Sequence, residues 1–237
     1  MTQVLAELQD LEGAELTDAL EQRFTTEVAT VETPVRTFSI LRPRNSDDLI
    51  REEDFVKDER LPYWADIWPS STILAQHLLS LGHAERIRGR GLELGCGVGL
   101  VTIAAMIAGY DMLASDYYTD ALAFTRANAW RELGREPKTQ MIDWRKFPRN
   151  ARGFDLILAS DVLYEKEYAE ILPKIFKRAL APGGMVILAD PGRIGVPEFM
   201  DECKYTGLEI RSKVTHAFAA GEIRQQIDLY EVADRAS

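Results

Sequence analysis

Residues 90–100 read RGLELGCGVGL. A short apolar run carries a carboxylate, Glu93, just before glycines at 95, 97 and 99. A strand that ends in a glycine turn and continues as a helix usually receives a nucleotide-like ligand, because only glycine lets backbone come that close. The spacing then bears on which ligand. A dinucleotide fingerprint runs G-x-G-x-x-G, whereas Gly95, Gly97 and Gly99 give G-x-G-x-G with Leu100 where the third glycine would stand, so a pyrophosphate turn is disfavoured.

On both sides of this turn the hydrophobic period alternates between strand and helix. The turn is preceded by a strand over residues 91–94 and followed by a helix to about Ala108, which Gly109 stops. A strand over 111–115 and a helix from about Asp120 to Leu133, stopped by Gly134, come next, and Met141 and Ile142 belong to a third strand. The continuous apolar run 154–159 has the character of a central parallel strand. A helix follows that ends near residues 181–184 (APGG), with Pro173 expected to break or start it, and then the strand MVILA. LEIRSKV and IRQQIDLYEV, separated by AFAAGE, form a closing antiparallel pair. Ahead of the turn, residues 70–81 present Ile73, Leu74, Leu78 and Leu81 on one helical face. The alternation predicts an α/β fold built on a doubly wound sheet, whose ligands bind at the carboxyl ends of the strands.

The first sixty residues differ from the rest. Val4, Leu5, Leu8 and Leu11 recur at helical spacing, and VRTFSIL between Pro34 and Pro43 reads as a short strand. They predict a small N-terminal helix and strand addition, residues 1–60, ahead of one large domain, residues 61–237. That addition holds fifteen Asp and Glu against seven Lys and Arg, a net charge of -8 out of the chain's -10. No basic stripe is visible, so nucleic acid is an unlikely match, and a basic protein or a cationic small molecule suits the charge better. The longest apolar run, residues 100–109, falls short of the roughly 20 residues a membrane span needs, and the acidic start is unlike a signal peptide, so a cytoplasmic protein is expected. Cys96 and Cys203 match no metal-ligand spacing and read as free thiols in a reducing compartment. His77, His83 and His216 are scattered and read as surface or packing residues.

The predicted topology sets Glu93, Asp116, Asp143 and Asp161 on one rim, where each carboxylate needs a polar partner. With Glu93 included the glycine motif is E-x-G-x-G-x-G, and Asp116 follows it by 23 positions at the end of the second strand, the place of a carboxylate that accepts from ribose hydroxyls. This pattern resembles the first motif of class I methyltransferases that use S-adenosyl-L-methionine. LPYWADIWPSS at 61–71, IDW at 142–144, DVLY at 161–164 and ADPGR at 189–193 extend the likeness over most of the chain. Together they resemble the seven-strand lysine methyltransferase group, with the greatest similarity to its electron-transfer-flavoprotein β-subunit lysine methyltransferase branch and to related nicotinamide N-methyltransferase-like bacterial proteins. The chain departs from that branch at Ser70 and Ser71, where the branch has paired glycines, and the acidic N-terminal segment has no counterpart there. The resemblance implies a seven-strand sheet whose last strand is antiparallel, and a methyl acceptor nitrogen that is often a protein lysine.

Beside that likeness the residues take roles on chemical grounds. Glu93 suits the ammonium of the methionine portion, with Gly95 and Gly97 letting backbone approach it, and Asp116 takes the ribose. Asp143 accepts from the adenine amino group, Trp144 or Trp68 covers a ring face, and Ser160 lines the cofactor edge. Asp161 grips the acceptor amine and Tyr164 closes the site, with Tyr63, Trp64 or both as a cation–π wall. Asp161 has a plainer reading as a helix N-cap. Asp190 and Arg193 form a second rim pair, for substrate or simply as a turn held by its own ion pair. Methyl transfer to nitrogen asks for neither a metal nor a covalent enzyme intermediate. A protein lysine is the leading acceptor, a small amine or nicotinamide the second, and a non-catalytic cofactor-binding protein the third.

Overall fold

The computed structural model describes residues 7–49, 61–82 and 88–236. Helix α1 (Gly13–Arg23) leads into an antiparallel hairpin of β1 (Thr26–Glu32) and β2 (Thr37–Pro43). Helix α2 (Pro69–Ser80) precedes the alternating part: β3 (Gly89–Leu94), α3 (Leu100–Ile107), β4 (Tyr110–Asp116), α4 (Thr119–Leu133), β5 (Lys138–Met141) and β6 (Phe154–Ser160). Then come α5 (Lys166–Ala179), β7 (Leu180–Asp190), α6 (Val196–Thr206), β8 (Leu208–Ala220) and β9 (Ile223–Asp234). β3 to β9 form one seven-stranded sheet of order β5-β4-β3-β6-β7-β9-β8. β3 to β7 are parallel, and the last strand, β9, runs antiparallel between β7 and the edge strand β8.

Both faces of this sheet are covered, which is why its central strands read as continuous apolar runs. In β6, Leu156 and Leu158 face the core made with α2, α3 and α4, while the alternate residues Ile157 and Ala159 face the core made with α5 and α6. All four are buried. The period of two thus feeds two cores from a single strand.

The acidic N-terminal segment carries its apolar residues into the first of these cores. Leu16 and Leu20 of α1 and Phe38, Ile40 and Leu41 of the hairpin are buried beside Phe124 and Ala127 of α4. Buried Asn128 ties them to the glycine turn: its Oδ1 accepts from the Leu41 N–H at 2.7 Å, and its Nδ2 donates to the carbonyls of Leu41 and Val98 at 2.8 and 2.9 Å.

Several local expectations are corrected. The spacing from Val4 to Leu11 does not mark the N-terminal helix: residues 8–10 are a single 3-10 turn, Val4 and Leu5 lie outside the described residues, and α1 begins at Gly13. β1 escapes a hydrophobic-pattern reading because only Val31 of its seven residues is buried. Pro173 neither breaks nor starts α5 but sits inside it. Proline there forgoes one main-chain hydrogen bond, and burial of Tyr168, Leu172, Ile175 and Phe176 along the same face holds the helix together across it. The loop expected at 217–222 shrinks to Gly221 and Glu222, because the two last strands extend to Ala220 and from Ile223.

Candidate active site

The strand order reverses direction at β3, with β4 and β5 laid down on one side and β6 and β7 on the other. A crevice opens at the carboxyl ends of strands at such a point. The cavity found there has a volume of about 570 Å³, within the range of sites for small molecules and cofactors. It is lined by Glu93, Gly95, Gly97, Asp116, Trp144, Ser160, Asp161 and Tyr164, and by Tyr63, Trp64, Trp68 and Arg193. Residues from six separate stretches of sequence therefore meet in one place.

The glycine turn packs tightly against the protein as well as facing the cavity. Gly95, Gly97 and Gly99 all have left-handed φ, at 76°, 53° and 93°. A Cβ on Gly97 would lie 3.0 Å from the Trp64 carbonyl oxygen, and one on Gly99 would lie 2.9 Å from Thr125 Cα. These two glycines admit a neighbouring main chain and α4, a demand that a ligand-only reading of the motif overlooks. The Gly97 N–H donates to Asp116 Oδ2 at 3.0 Å, and the Tyr118 N–H donates to Asp116 Oδ1 at 3.0 Å. Asp116 thereby joins the turn to the end of β4.

Glu93 is 1% exposed and accepts a hydrogen bond from the Thr102 hydroxyl of α3. Burial pushes its carboxyl up to about 8, with Thr102 opposing and Asp116 adding to the rise. Cys96 also borders the cavity, but burial raises its thiol well above the usual value and leaves no reactive thiolate. Burial likewise raises Cys203, to about 12, and lowers His77, so neither is charged near neutral pH. His83 lies outside the described residues.

Asp161 follows β6 with a left-handed φ of 58°, rare for any residue other than glycine, and is 8% exposed. The helix-cap alternative does not hold, since the residue capping α5 is Glu165. Asp161 Oδ1 accepts from Arg193 Nε at 2.6 Å and Oδ2 accepts from the Ser70 hydroxyl at 3.2 Å. The same cavity is lined by a chain of edge-to-face rings. Tyr63 meets Trp68 and Tyr164 at 5.9 and 5.7 Å between centroids, Tyr164 meets Tyr168 at 5.4 Å, and Tyr168 meets Trp144 at 4.9 Å. Burial, together with Tyr168 and Glu165, raises the Tyr164 hydroxyl, so it is a neutral phenol at pH 7.

Three sequence-based placements change. Asp143 does not line the cavity: its carboxylate turns back onto its own short 3-10 turn, accepting from the Arg145 N–H at 3.1 Å and from Arg145 Nε at 2.9 Å. Asp190 and Arg193 are not joined by a side-chain ion pair. Asp190, fully buried, accepts through Oδ1 from the N–H groups of Gly192 and Arg193 at 2.7 Å each, while the Arg193 side chain reaches Asp161. Trp64 is 8% exposed and packs on Tyr118 and Phe124, so it is as much core as cavity wall. Sequence reasoning missed Tyr168, Ser70 and Thr102. Tyr168 lies in the first turn of α5 and Tyr164 just ahead of that helix, so their contact is set by how the chain enters the helix. Neither Ser70 nor Thr102 has a signal in the sequence, since contact with a carboxylate 91 or 9 residues away is made by the fold.

A family model described as lysine methyltransferase matches residues 47–200, well over half of the chain. The chain belongs to the lysine methyltransferase family. This lysine methyltransferase family member is 34% identical over 134 residues to the electron transfer flavoprotein beta subunit lysine methyltransferase of Xenopus laevis, covering 56% of this chain and 53% of that protein. It is 32% identical over 126 residues to the protein-lysine methyltransferase METTL21E of Mus musculus, covering 48% and 50% of the two chains. It thus spans about half the length of the curated relatives it matches. Among solved structures, magnesium protoporphyrin IX methyltransferase from Synechocystis PCC 6803 with bound SAM has the same fold, with a TM-score of 0.54 over 78% of this chain and 93% of that one at 17% identity.

Proposed function

We propose that this family member is an S-adenosyl-L-methionine-dependent N-methyltransferase acting on a lysine side chain of a protein. The observation that carries this reading is that two kinds of recognition share one cavity. Glu93 and Asp116 flank a glycine turn at one part, and a chain of aromatic rings lines the same cavity with the carboxylate of Asp161. The donor set fits the cofactor. Glu93 meets its ammonium, Asp116 at the end of β4 meets ribose hydroxyls, Trp144 covers a ring face and Ser160 lines the edge. No role toward adenine is assigned to Asp143.

When bound, S-adenosylmethionine supplies a sulfonium methyl that an amine lone pair takes in line, the C–S bond breaking with its electron pair left on sulfur. The chain's task is to hold the two reactants collinear, which supplies up to roughly 7–11 kcal/mol of the barrier. Asp161 receives the amine at the rim, and Tyr63, Trp68 and neutral Tyr164 give it apolar walls that strip water from the cation. The ammonium gives up its proton to solvent before attack, since only the neutral amine has a lone pair to offer the methyl group. Tyr63, which lines the cavity, is 43% exposed, and Ile194, next in sequence to the lining residue Arg193, is 68% exposed, apolar surface of the kind a protein partner covers. The acidic N-terminal segment favours a basic protein partner, and the buried thiols suit the cytoplasm. Among the described residues no helix is long and apolar enough to cross a membrane.

The test is incubation with methyl-labelled cofactor and a whole-cell lysate, followed by hydrolysis of the protein fraction. Label recovered as N-methyllysine supports the reading. Label confined to small molecules, or to another amino acid, refutes it.

A further inference from the structure

We propose that Arg193 occupies the acceptor's cation site in the ligand-free protein and is displaced by the incoming amine. This rests on the reading of the cavity given above and adds a specificity-determining gate to it. Among the described residues lining the cavity, Arg193 is the one Lys or Arg, against five carboxylates from Asp66, Glu93, Asp116, Asp161 and Glu165. Its Nε donates to Asp161 Oδ1 at 2.6 Å, and its guanidinium lies 5.5 Å from the centre of the Trp68 ring. A carboxylate and an aromatic face are the two partners an alkylammonium requires. Arg193 has taken both.

The anion in this pair is fixed and the cation is placed to move. Asp161 is held by a left-handed main chain, by its own N–H donating to the Ala189 carbonyl at 2.9 Å, and by Ser70. A non-glycine residue keeps such a backbone only when its surroundings over-determine it. The Asp161 side chain is 4% exposed, whereas that of Arg193, which lines the cavity, is 35% exposed. The Arg193 main chain is pinned, with its N–H on buried Asp190 and its carbonyl accepting from the Val196 N–H at 3.1 Å. Displacement therefore takes only side-chain rotation about an anchored Cα. A guanidinium also suits a placeholder, because it stays protonated up to a pKa above about 12 and offers no lone pair for methylation.

Removing the placeholder should raise affinity for a plain cation. The probe is n-butylammonium, titrated with and without saturating S-adenosylhomocysteine and followed by tryptophan fluorescence. Arg193→Ala and the space-filling Arg193→Gln should both bind it about tenfold more tightly than the parent, the gain expected if the plug holds the site for roughly 90% of the time. Adding Asp161→Asn to Arg193→Ala should abolish the gain, and S-adenosylhomocysteine affinity should stay within a few fold of the parent in the single variants. A role confined to bracing Asp161 predicts weaker or unchanged butylammonium binding in both single variants, and that result, or no detectable binding in any form, overturns the proposal. Failure of the parent to bind S-adenosylhomocysteine would instead sink the cofactor reading, while the cofactor-free titration still reports on the plug.

Discussion

Glu93 should make cofactor binding release a proton. Its carboxyl is held up to about 8 by burial, so at pH 7 the ligand-free protein carries it about 90% protonated. An ammonium placed against it favours the ionised form, and the displaced proton goes to buffer. If the bound state is fully ionised, the ionised fraction available for binding rises about 24-fold between pH 6 and 7.5, and affinity rises with it. The window stops short of pH 8 because a free α-amino group itself titrates near 7.7–8.0. Calorimetry of S-adenosylhomocysteine binding at pH 7 in phosphate and in Tris counts the protons from the difference in apparent enthalpy. The expected value is about 0.9 proton released, vanishing in Glu93→Gln, which also flattens the pH dependence. The same group gives a second sign. Its folded value lies above the unfolded 4.5, so the neutral form is favoured in the fold. Its contribution to stability is complete below about pH 4.5 and is lost as pH rises through about 8. The ligand-free parent should therefore lose melting temperature across that range more than Glu93→Gln does. Intact binding without proton release, or the same release from Glu93→Gln, would refute the assignment of Glu93 to the ammonium.

Asp116→Ala should weaken S-adenosylmethionine binding by about 1.5–3 kcal/mol, the scale of a hydrogen bond to a charged group, and the parent should not bind NAD; calorimetry that finds micromolar NAD binding and no response to S-adenosylmethionine refutes the cofactor reading. Asp161→Asn should keep cofactor affinity within a few fold and lower methyl transfer by about 10²-fold or more, whereas retained activity, with Asp161→Ala merely lowering the melting temperature, would show the residue to be structural. Leu20→Ala should cost about 2–5 kcal/mol in denaturant unfolding because Leu20 is fully buried against the main core; an unchanged midpoint would mean that α1 contributes nothing to the core.

The period-two and helical patterns made the alternating strands and helices readable, because a sheet covered on both faces imposes continuous apolar runs on its central strands and an apolar stripe on each flanking helix. RGLELGCGVGL was legible for the same reason: left-handed turns admit few residues other than glycine, and Glu93 could be seen beside them. The last antiparallel strand entered through the resemblance and the closing pair LEIRSKV and IRQQIDLYEV. Other features were decided only by distance in the folded chain. Gly97 and Gly99 are needed partly because Trp64 and Thr125, from remote segments, come within about 3 Å of where a side chain would begin. β1 was hidden because a strand with one buried residue leaves no hydrophobic signature, and Pro173 sits within a helix because tertiary packing outweighs one lost hydrogen bond. The partners of the carboxylates were the least legible. Asp143 turned to Arg145 two residues away, while Asp161 took Arg193 and Ser70 from 32 and 91 residues away. One-dimensional spacing ranks such candidates by type alone. Choosing among them falls to electrostatics, which acts over a few ångströms of space, and only the tertiary fold sets those distances.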